Sequence, residues 1–336
     1  MLSHISKKNV LFITTKNPDY IRNVQEISLI KKEADHYVVI GSKSKYYFVR
    51  LLCVYFSLIT TSVSSFDTVF IGFAPQLILP LFKYKFRHTH IIADFFISLF
   101  DTFCQDRQLF HPRSLPGRFL HSIDQITLDQ ANLVICDTIS HGKYFTKEFG
   151  IPPTKLYPLY LQADTTVYHP LTIDKPAKLK NKFMVLYFGS ILPLQGIDIV
   201  LKTITLLKKE QNIFFYCIGP IKKKTKLMFC PDAANVKFID WLSQEQLARY
   251  IGQADLCLAG HFNRNIAKAR RTIPGKACIY EAMKKSMVLG DTPANHELFK
   301  ADSKHIFVEL GSPRALADII LQLSKSQNQG TDKPVQ

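Results

Sequence analysis

Short apolar runs alternate with helix-length segments along this chain, the alternation breaks at a proline-studded stretch, and then it begins again. Asn9–Thr15, Tyr37–Ile40, Thr68–Gly72, His90–Ala93 and Leu133–Cys136 read as strands of a first half, with helices near Tyr20–Lys32, Lys45–Ile59, Leu77–Phe82 and Arg118–Gln130. Met184–Phe188, Phe214–Ile218, Val236–Ile239, Leu256–Ala259, Met287–Leu289 and His305–Glu309 repeat the pattern. Runs this short and apolar suit strands covered on both faces, and the segments between them supply the covering helices. The fold class expected is α/β, with two Rossmann-like domains facing a central cleft, each with its ligand edge at the carboxyl ends of its strands. Pro152–Pro170 reads as a linker, giving domains over 1–165 and 171–325 and a polar, non-helical tail over 326–336.

Composition narrows the function classes. A hydrophobic content of 47% with 21% charged residues describes a folded globular chain. The seven cysteines are scattered, with no C-x-x-C pair and no zinc spacing, so neither a disulfide framework nor a metal site is expected. Leu51–Val63 is too short to span a bilayer, and Thr68–Phe82 is broken by Gly72, Pro75 and Pro80. The net charge of +16 asks for an anionic partner: nucleic acid, a membrane surface or a phosphorylated substrate. No nucleic-acid recognition module is evident, which leaves phosphate or membrane. Tyr46, Tyr47, Phe48 and Arg50, with Lys83, Tyr84, Lys85 and Arg87, mix aromatics and cations as membrane-surface segments do, although plain helix packing would use the same residues.

The stretch Lys268–Glu297, KARRTIPGKACIYEAMKKSMVLGDTPANHE, gathers the most chemistry. Pro274 suits a first helical position, and Gly275 lets a ligand approach the backbone. A helix from Gly275 to about Lys285 would place Ala277, Cys278, Glu281 and Ala282 on one buried face. Lys268, Arg270, Arg271 and Lys276 beside that helix N-terminus suit a diphosphate, with Glu281 one turn further on where a ribose diol would lie. The alternative is an amphipathic helix whose Glu281 merely caps or pairs with a lysine.

In the first half, Asp94, Ser98, Asp101, Asp106 and Arg107 follow a strand at its carboxyl end. Asp94 would position an acceptor or help its hydroxyl lose a proton, Ser98 and Asp101 would lie on the acceptor side, and Arg107 would pair a carboxylate or phosphate. Equally, the aspartates would cap a helix and Arg107 would bridge to Asp101 or Asp106. His261 follows a strand directly and is a second catalytic candidate.

Four segments carry a resemblance to a known family. FGSILPLQG (Phe188–Gly196) is similar to the phosphate loop of GT-B glycosyltransferases of the family-4 retaining type. KARRTIPGKACIYEAM followed by GDTPANHE resembles their E-x₇-E segment and its turn. IADFFISLFDTFCQDR and NLVICDTISHGKYFTKEFGIP look like first-domain segments of a bacterial surface-polysaccharide branch. The resemblance implies a donor-binding set of Gly189, Ser190, Gln195, Gly196, Lys268, Arg271, Gly275, Lys276, Glu281 and Glu297, with Glu281 on the nucleotide ribose. It departs from the pattern where Ser190 and Gln195 replace the loop arginine and lysine, where Ile273 replaces the first glutamate, and in having no further helix after Ser324. Lys268, Arg271 and Lys276 would then supply the missing cations. No D-x-D metal motif occurs, and no cofactor is expected beyond a nucleoside diphosphate sugar as co-substrate. The implied activity is retaining transfer of a sugar to a growing surface glycan (lipopolysaccharide, capsule or exopolysaccharide, lipid-linked). The enzyme would be cytoplasmic and peripheral to the inner face of the membrane. Its partners would be the donor, a glycan or lipid-linked glycan acceptor and an anionic membrane surface, not nucleic acid. A nucleotide-sugar epimerase and a degenerate protein that binds glycan or a partner enzyme are the alternatives.

Overall fold

The structure, a computed structural model, describes residues 1–229 and 234–331. The chain divides into two compact units, Met1–Gln162 and Ala163–Gln336. In the first, β1 (Asn9–Thr14), α1 (Ile21–Glu33), β2 (His36–Ile40), α2 (Tyr47–Thr60), β3 (Thr68–Phe73), α3 (Leu79–Phe82), β4 (His90–Asp94), α4 (Leu115–Gln130), β5 (Leu133–Cys136), α5 (Ile139–Phe149) and β6 (Leu156–Pro158) follow in order. In the second come β7 (Phe183–Phe188), α6 (Ile197–Leu206), β8 (Ile213–Ile218), α7 (Lys223–Phe229), β9 (Val236–Ile239), α8 (Gln244–Gln253), β10 (Leu256–Gly260), α9 (Gly275–Ala282), β11 (Met287–Gly290), β12 (His305–Val308) and α10 (Pro313–Thr331).

Each unit holds a six-stranded parallel sheet, ordered β2-β1-β3-β4-β5-β6 and β12-β11-β10-β7-β8-β9. Alternate residues of each strand enter separate cores on the two sheet faces. Leu11 and Ile13 join one core of the first unit, Val10 and Phe12 the other. Val185 and Tyr187 face one core of the second unit, Met184 and Leu186 the other. This two-sided burial is why the strands read as continuous apolar runs. In both sheets the strand order reverses beside the first strand, between β1 and β3 and between β7 and β10.

The expected linker is structured. Leu156–Pro158 adds a sixth strand parallel to β5, with Val134 opposite Leu156, and Tyr168 is buried in a core of the second unit. Prolines are tolerated there because β6 is an edge strand. The expected non-helical tail is corrected as far as it is described: α10 continues to Thr331 and packs on α6, where Thr203 Oγ1 donates to Pro313 O at 3.0 Å. Positions 332–336 of that tail lie outside the described residues. Among the described residues, no helix is long and apolar enough to cross a membrane.

Candidate functional site

The carboxyl edge of the second sheet, at the reversal between β7 and β10, brings most of the expected donor-binding residues together. Ligands of open α/β sheets bind at such reversals because neighbouring loops diverge there and leave a crevice. The loop after β7 begins at Gly189 (φ 147°), where a Cβ would come within 3.0 Å of Lys276 Nζ. It ends at Gly196 (φ 68°), where a Cβ would lie 2.9 Å from the Phe262 and Asn263 backbone. Both glycines are therefore required, one by the lysine and one by the turn after β10. Asn263 Nδ2 donates to Pro193 O at 2.9 Å and closes the loop onto that turn.

Lys276 is the second residue of α9, and its side chain is buried at 6% exposure. The ammonium lies 3.9 Å from the centre of the Tyr187 ring and 5.9 Å from that of Phe188. Among the described residues it makes no hydrogen bond. Burial pushes its pKa well below the ordinary lysine value. Aromatic faces offset a small part of the desolvation, but a buried ammonium without hydrogen bonds stays costly. The Oε1 of Gln195 is likewise buried without a hydrogen bond, 3.1 Å from where a Gly260 Cβ would be.

His261, directly after β10, is 4% exposed, and its Nδ1 lies 3.2 Å from Thr272 O. A carbonyl only accepts, so Nδ1 carries the proton and Nε2 is left as an acceptor. Burial, then the charges of Lys276 and Lys268, lower its pKa to about 3. The imidazole is thus neutral at physiological pH and too weak a base for general base catalysis. His261, a catalytic candidate from sequence, is thus a neutral hydrogen-bond acceptor at this edge. Its electrostatic coupling to both lysines puts Lys268 near this point as well. Gly275 opens α9 at the same edge, after Pro274 as N-cap rather than first helical residue. Arg271 is half-buried at the end of the preceding short helix, and Ser190 is exposed on the loop. Glu297 is half-buried in a short helical turn after β11.

Glu281 does not join them. The inward face of α9 is Lys276, Ala277 and Tyr280, one position out of phase with the face expected from sequence. The helix ends early: Lys284 takes a left-handed conformation (φ 54°), with Lys284 N bonded to Glu281 O and Lys285 N to Tyr280 O. That pair of bonds is a Schellman closure. Glu281 is left outside, 53% exposed, with His305 Nε2 at 2.8 Å at the amino end of β12. Glu281 thus pairs with a side chain as the alternative expected, but with a histidine and not a lysine.

The carboxyl edge of the first sheet is built differently. Arg22, near the start of α1, donates from Nε and Nη2 to both oxygens of Asp94, at 2.5 and 2.8 Å. Its Nη1 reaches Asp137 Oδ1 at 3.0 Å and Leu159 O at 3.1 Å, and Phe96 covers its guanidinium at 4.8 Å. Glu26, fully buried one turn along α1, has its pKa pushed well above the usual carboxyl range by burial and then by the Asp94 charge. Asp94 is fully buried with both oxygens committed to Arg22, so it has no edge for an acceptor hydroxyl, and its expected catalytic role is corrected to that of an internal ion-pair partner. Ser98 is also enclosed, donating to Asp124 Oδ2 at 2.6 Å and accepting from Asp101 N at 2.9 Å. Asp101 is buried, whereas Arg107 is exposed against the Phe103 ring. None of Ser98, Asp101 and Asp94 faces outward as an acceptor-side group would.

Sequence reasoning passed over Tyr187, Thr272, Arg22 and Glu26. A tyrosine within a buried strand and charged residues on an amphipathic helix carry no signal that separates them from core and surface.

Comparison with known proteins agrees with this geometry. Residues 182–326 match the family model for Glycosyl transferases group 1. No curated protein sequence is significantly similar to the chain. Among solved structures, sucrose-phosphate synthase from Thermosynechococcus elongatus superposes with a TM-score of 0.68 at 10% identity, over 96% of this chain and 91% of that one. HepE of Anabaena in complex with UDP gives a TM-score of 0.63 at 13% identity, with coverage of 96% and 91%. WaaB, a lipopolysaccharide outer core galactosyltransferase, gives 0.56 at 12% identity, with coverage of 95% and 91%. The chain has the two-unit α/β fold of the GT-B glycosyltransferases, and the part of it that resembles the glycosyl transferases group 1 family lies in its second unit.

Proposed function

We propose that this protein is a retaining glycosyltransferase that moves a sugar from a uridine diphosphate donor to a growing, lipid-linked surface glycan at the inner face of the cytoplasmic membrane. One observation carries the donor half of this reading: the buried Lys276 ammonium, without a hydrogen bond among the described residues, set against Gly189 at the sheet's reversal. A diphosphate supplies the counter-charge and the acceptor oxygens that such an ammonium needs. In the reaction, charge accumulates on the leaving diphosphate as the glycosidic bond breaks, and a cation already desolvated stabilises it without reorganisation. The positive ends of α6 and α9, which start at Ile197 and Gly275, add to that field. His261 Nε2, an acceptor at neutral pH, is suited to orient a donor hydroxyl. The choice of uridine follows HepE, which binds UDP and UDP-glucose, and the glycan acceptor follows WaaB; both are supports by likeness of fold.

Titration calorimetry with UDP, followed by a turnover screen across UDP-sugars, tests the reading. Wild type should bind UDP, and Lys276→Met should bind it about ten- to a hundred-fold more weakly, the worth of a charge-assisted hydrogen bond. Equal affinity in the two proteins removes Lys276, and this site, from the donor.

A further inference from the structure

Helix α2 is apolar nearly all round, yet the first unit buries only one side of it. Arg50, Val54 and Leu58 face inward. The opposite line, Phe48, Leu52, Phe56 and Ile59, is 69%, 50%, 70% and 69% exposed. These four recur at the i, i+4, i+8, i+11 spacing of a single helix stripe, about 16 Å long at ~1.5 Å per residue. Leu81 at the end of α3 and Tyr84 just after it continue the patch at 65% and 81% exposure. Lys85 Nζ donates to Ile59 O at 3.2 Å and ties the two parts together. Contiguous apolar surface of this kind marks a place of contact, because scattered single side chains do not line up by chance along a helix.

Charge selects the occupant. Between Asp35 and Asp94 the sequence has a single acid, Asp67, while Lys45, Lys83, Lys85 and Arg87 lie beside the apolar stripe in sequence. Arg50 is not part of this set: it is buried and donates to Ser44 O at 2.6 Å. We propose that this face docks on an anionic lipid bilayer, with α2 in the plane of the interface, its outer stripe among the upper acyl chains and its basic neighbours at the headgroups. A helix of 14 residues is too short to span and long enough to lie flat. Tyr46 and Tyr84, both strongly exposed, have the amphipathic rings that settle at headgroup depth. A second copy of the chain is the poorer occupant, since a two-fold contact would set the same cations against themselves. The arrangement has a further consequence. Tyr47 Oη lies 3.3 Å from Thr15 Oγ1 just past β1, so α2 starts at the carboxyl edge of the first sheet and would bring that edge to the lipid surface. The docking face stands on its own and does not depend on the donor site.

The test uses the full chain with phosphatidylglycerol-containing vesicles and with pure phosphatidylcholine vesicles. Wild type should sediment with the former. Replacing Phe48, Phe56 and Ile59 by Ser should cut the partition coefficient about a hundred-fold, since each side chain loses part of its transfer free energy. Replacing Lys83, Lys85 and Arg87 by Ser should cut it on the order of ten- to a hundred-fold at low salt, with the difference shrinking as salt is added. As a reporter that needs no folding-sensitive triple variant, Phe56→Trp in a Trp241→Phe background should shift its emission to the blue with anionic vesicles. The idea is overturned by failure to bind either vesicle, by binding that the apolar variant leaves unchanged, or by a Trp reporter that does not shift. It is also overturned by a concentration-dependent dimer that the apolar variant abolishes in a protein that ignores vesicles.

Discussion

Replacing Lys276 by Met separates the two things a buried lysine can do. Met keeps the length and the apolar stem and removes the ammonium, and its sulfur suits the Tyr187 and Phe188 rings already beside Nζ. Burial holds the pKa of Lys276 well below its ordinary value, so the native state binds fewer protons than the unfolded chain between the two pKa values. Wild-type stability therefore rises with pH across that window, and below it the buried ammonium is a burden on the ligand-free fold. Exchanging a poorly compensated buried charge for a hydrophobe of like volume typically stabilises by ~1–3 kcal/mol, or about 3–9 °C in Tm for a domain of this size. Ligand binding should move the other way. UDP at about a hundred times its Kd stabilises wild type by ~2.7 kcal/mol. Losing ~1.5–3 kcal/mol of affinity leaves ~0.3–1.4 kcal/mol of that at the same concentration. Differential scanning fluorimetry with and without UDP, on both proteins, reads both changes at once. A variant that melts lower than wild type and keeps its full UDP shift refutes the reasoning, because Lys276 would then be a structural group and the anion would bind elsewhere.

Three other outcomes follow from the same geometry. With His261 at about 3 in the native state and near 6.5 when unfolded, stability should fall with acid between those values at up to about 1.4 kcal/mol per pH unit, and His261→Gln should flatten that limb in urea titrations at stepped pH. Glu281→Gln should change stability by less than ~1 kcal/mol and leave UDP affinity unaltered, as expected of a half-exposed pair with His305; a lost UDP shift in calorimetry would return Glu281 to the donor site. In the first unit, Arg22→Leu should cost about 3–5 kcal/mol because it takes from the buried Asp94 the guanidinium that bonds both its oxygens. Asp94→Asn should cost less, since Arg22 keeps Asp137 at 3.0 Å and has Glu26 at 4.0 Å; equal losses in chemical denaturation would contradict that.

The strands were legible because burial on both faces leaves a mark that needs no tertiary knowledge: β5 and β9 match their expected bounds, and the others shift by a residue or two. β6 was not, since three residues among prolines have neither the length nor the alternation to register, and only its pairing with β5 makes it a strand. Of the candidate site, the glycines were readable through the likeness of FGSILPLQG to a phosphate loop. Gly189 and Gly196 sit where a Cβ would collide with a lysine and with a backbone, which gives the likeness its physical reason.

The phase of α9 was beyond reach of the sequence, and this decides between its charged residues. Ala277, Cys278, Glu281 and Ala282 share one face of an ideal helix running to Lys285. The actual helix stops at Ala282, because Lys284 accepts a left-handed conformation that a sequence reader expects of glycine or asparagine. Nothing in the residue types announces that closure. In the helix before it, Tyr280 turns into the core and Glu281 out toward His305, while Lys276, one turn earlier, lies against the Gly189 loop. Sequence set Lys276 among the cations for a diphosphate and made Glu281 the anchor for its ribose. The packing keeps the first at the sheet edge, its ammonium without a hydrogen bond among the described residues, and removes the second: the α9 carboxylate expected to greet a ribose is bound to a histidine at the opposite end of the strands.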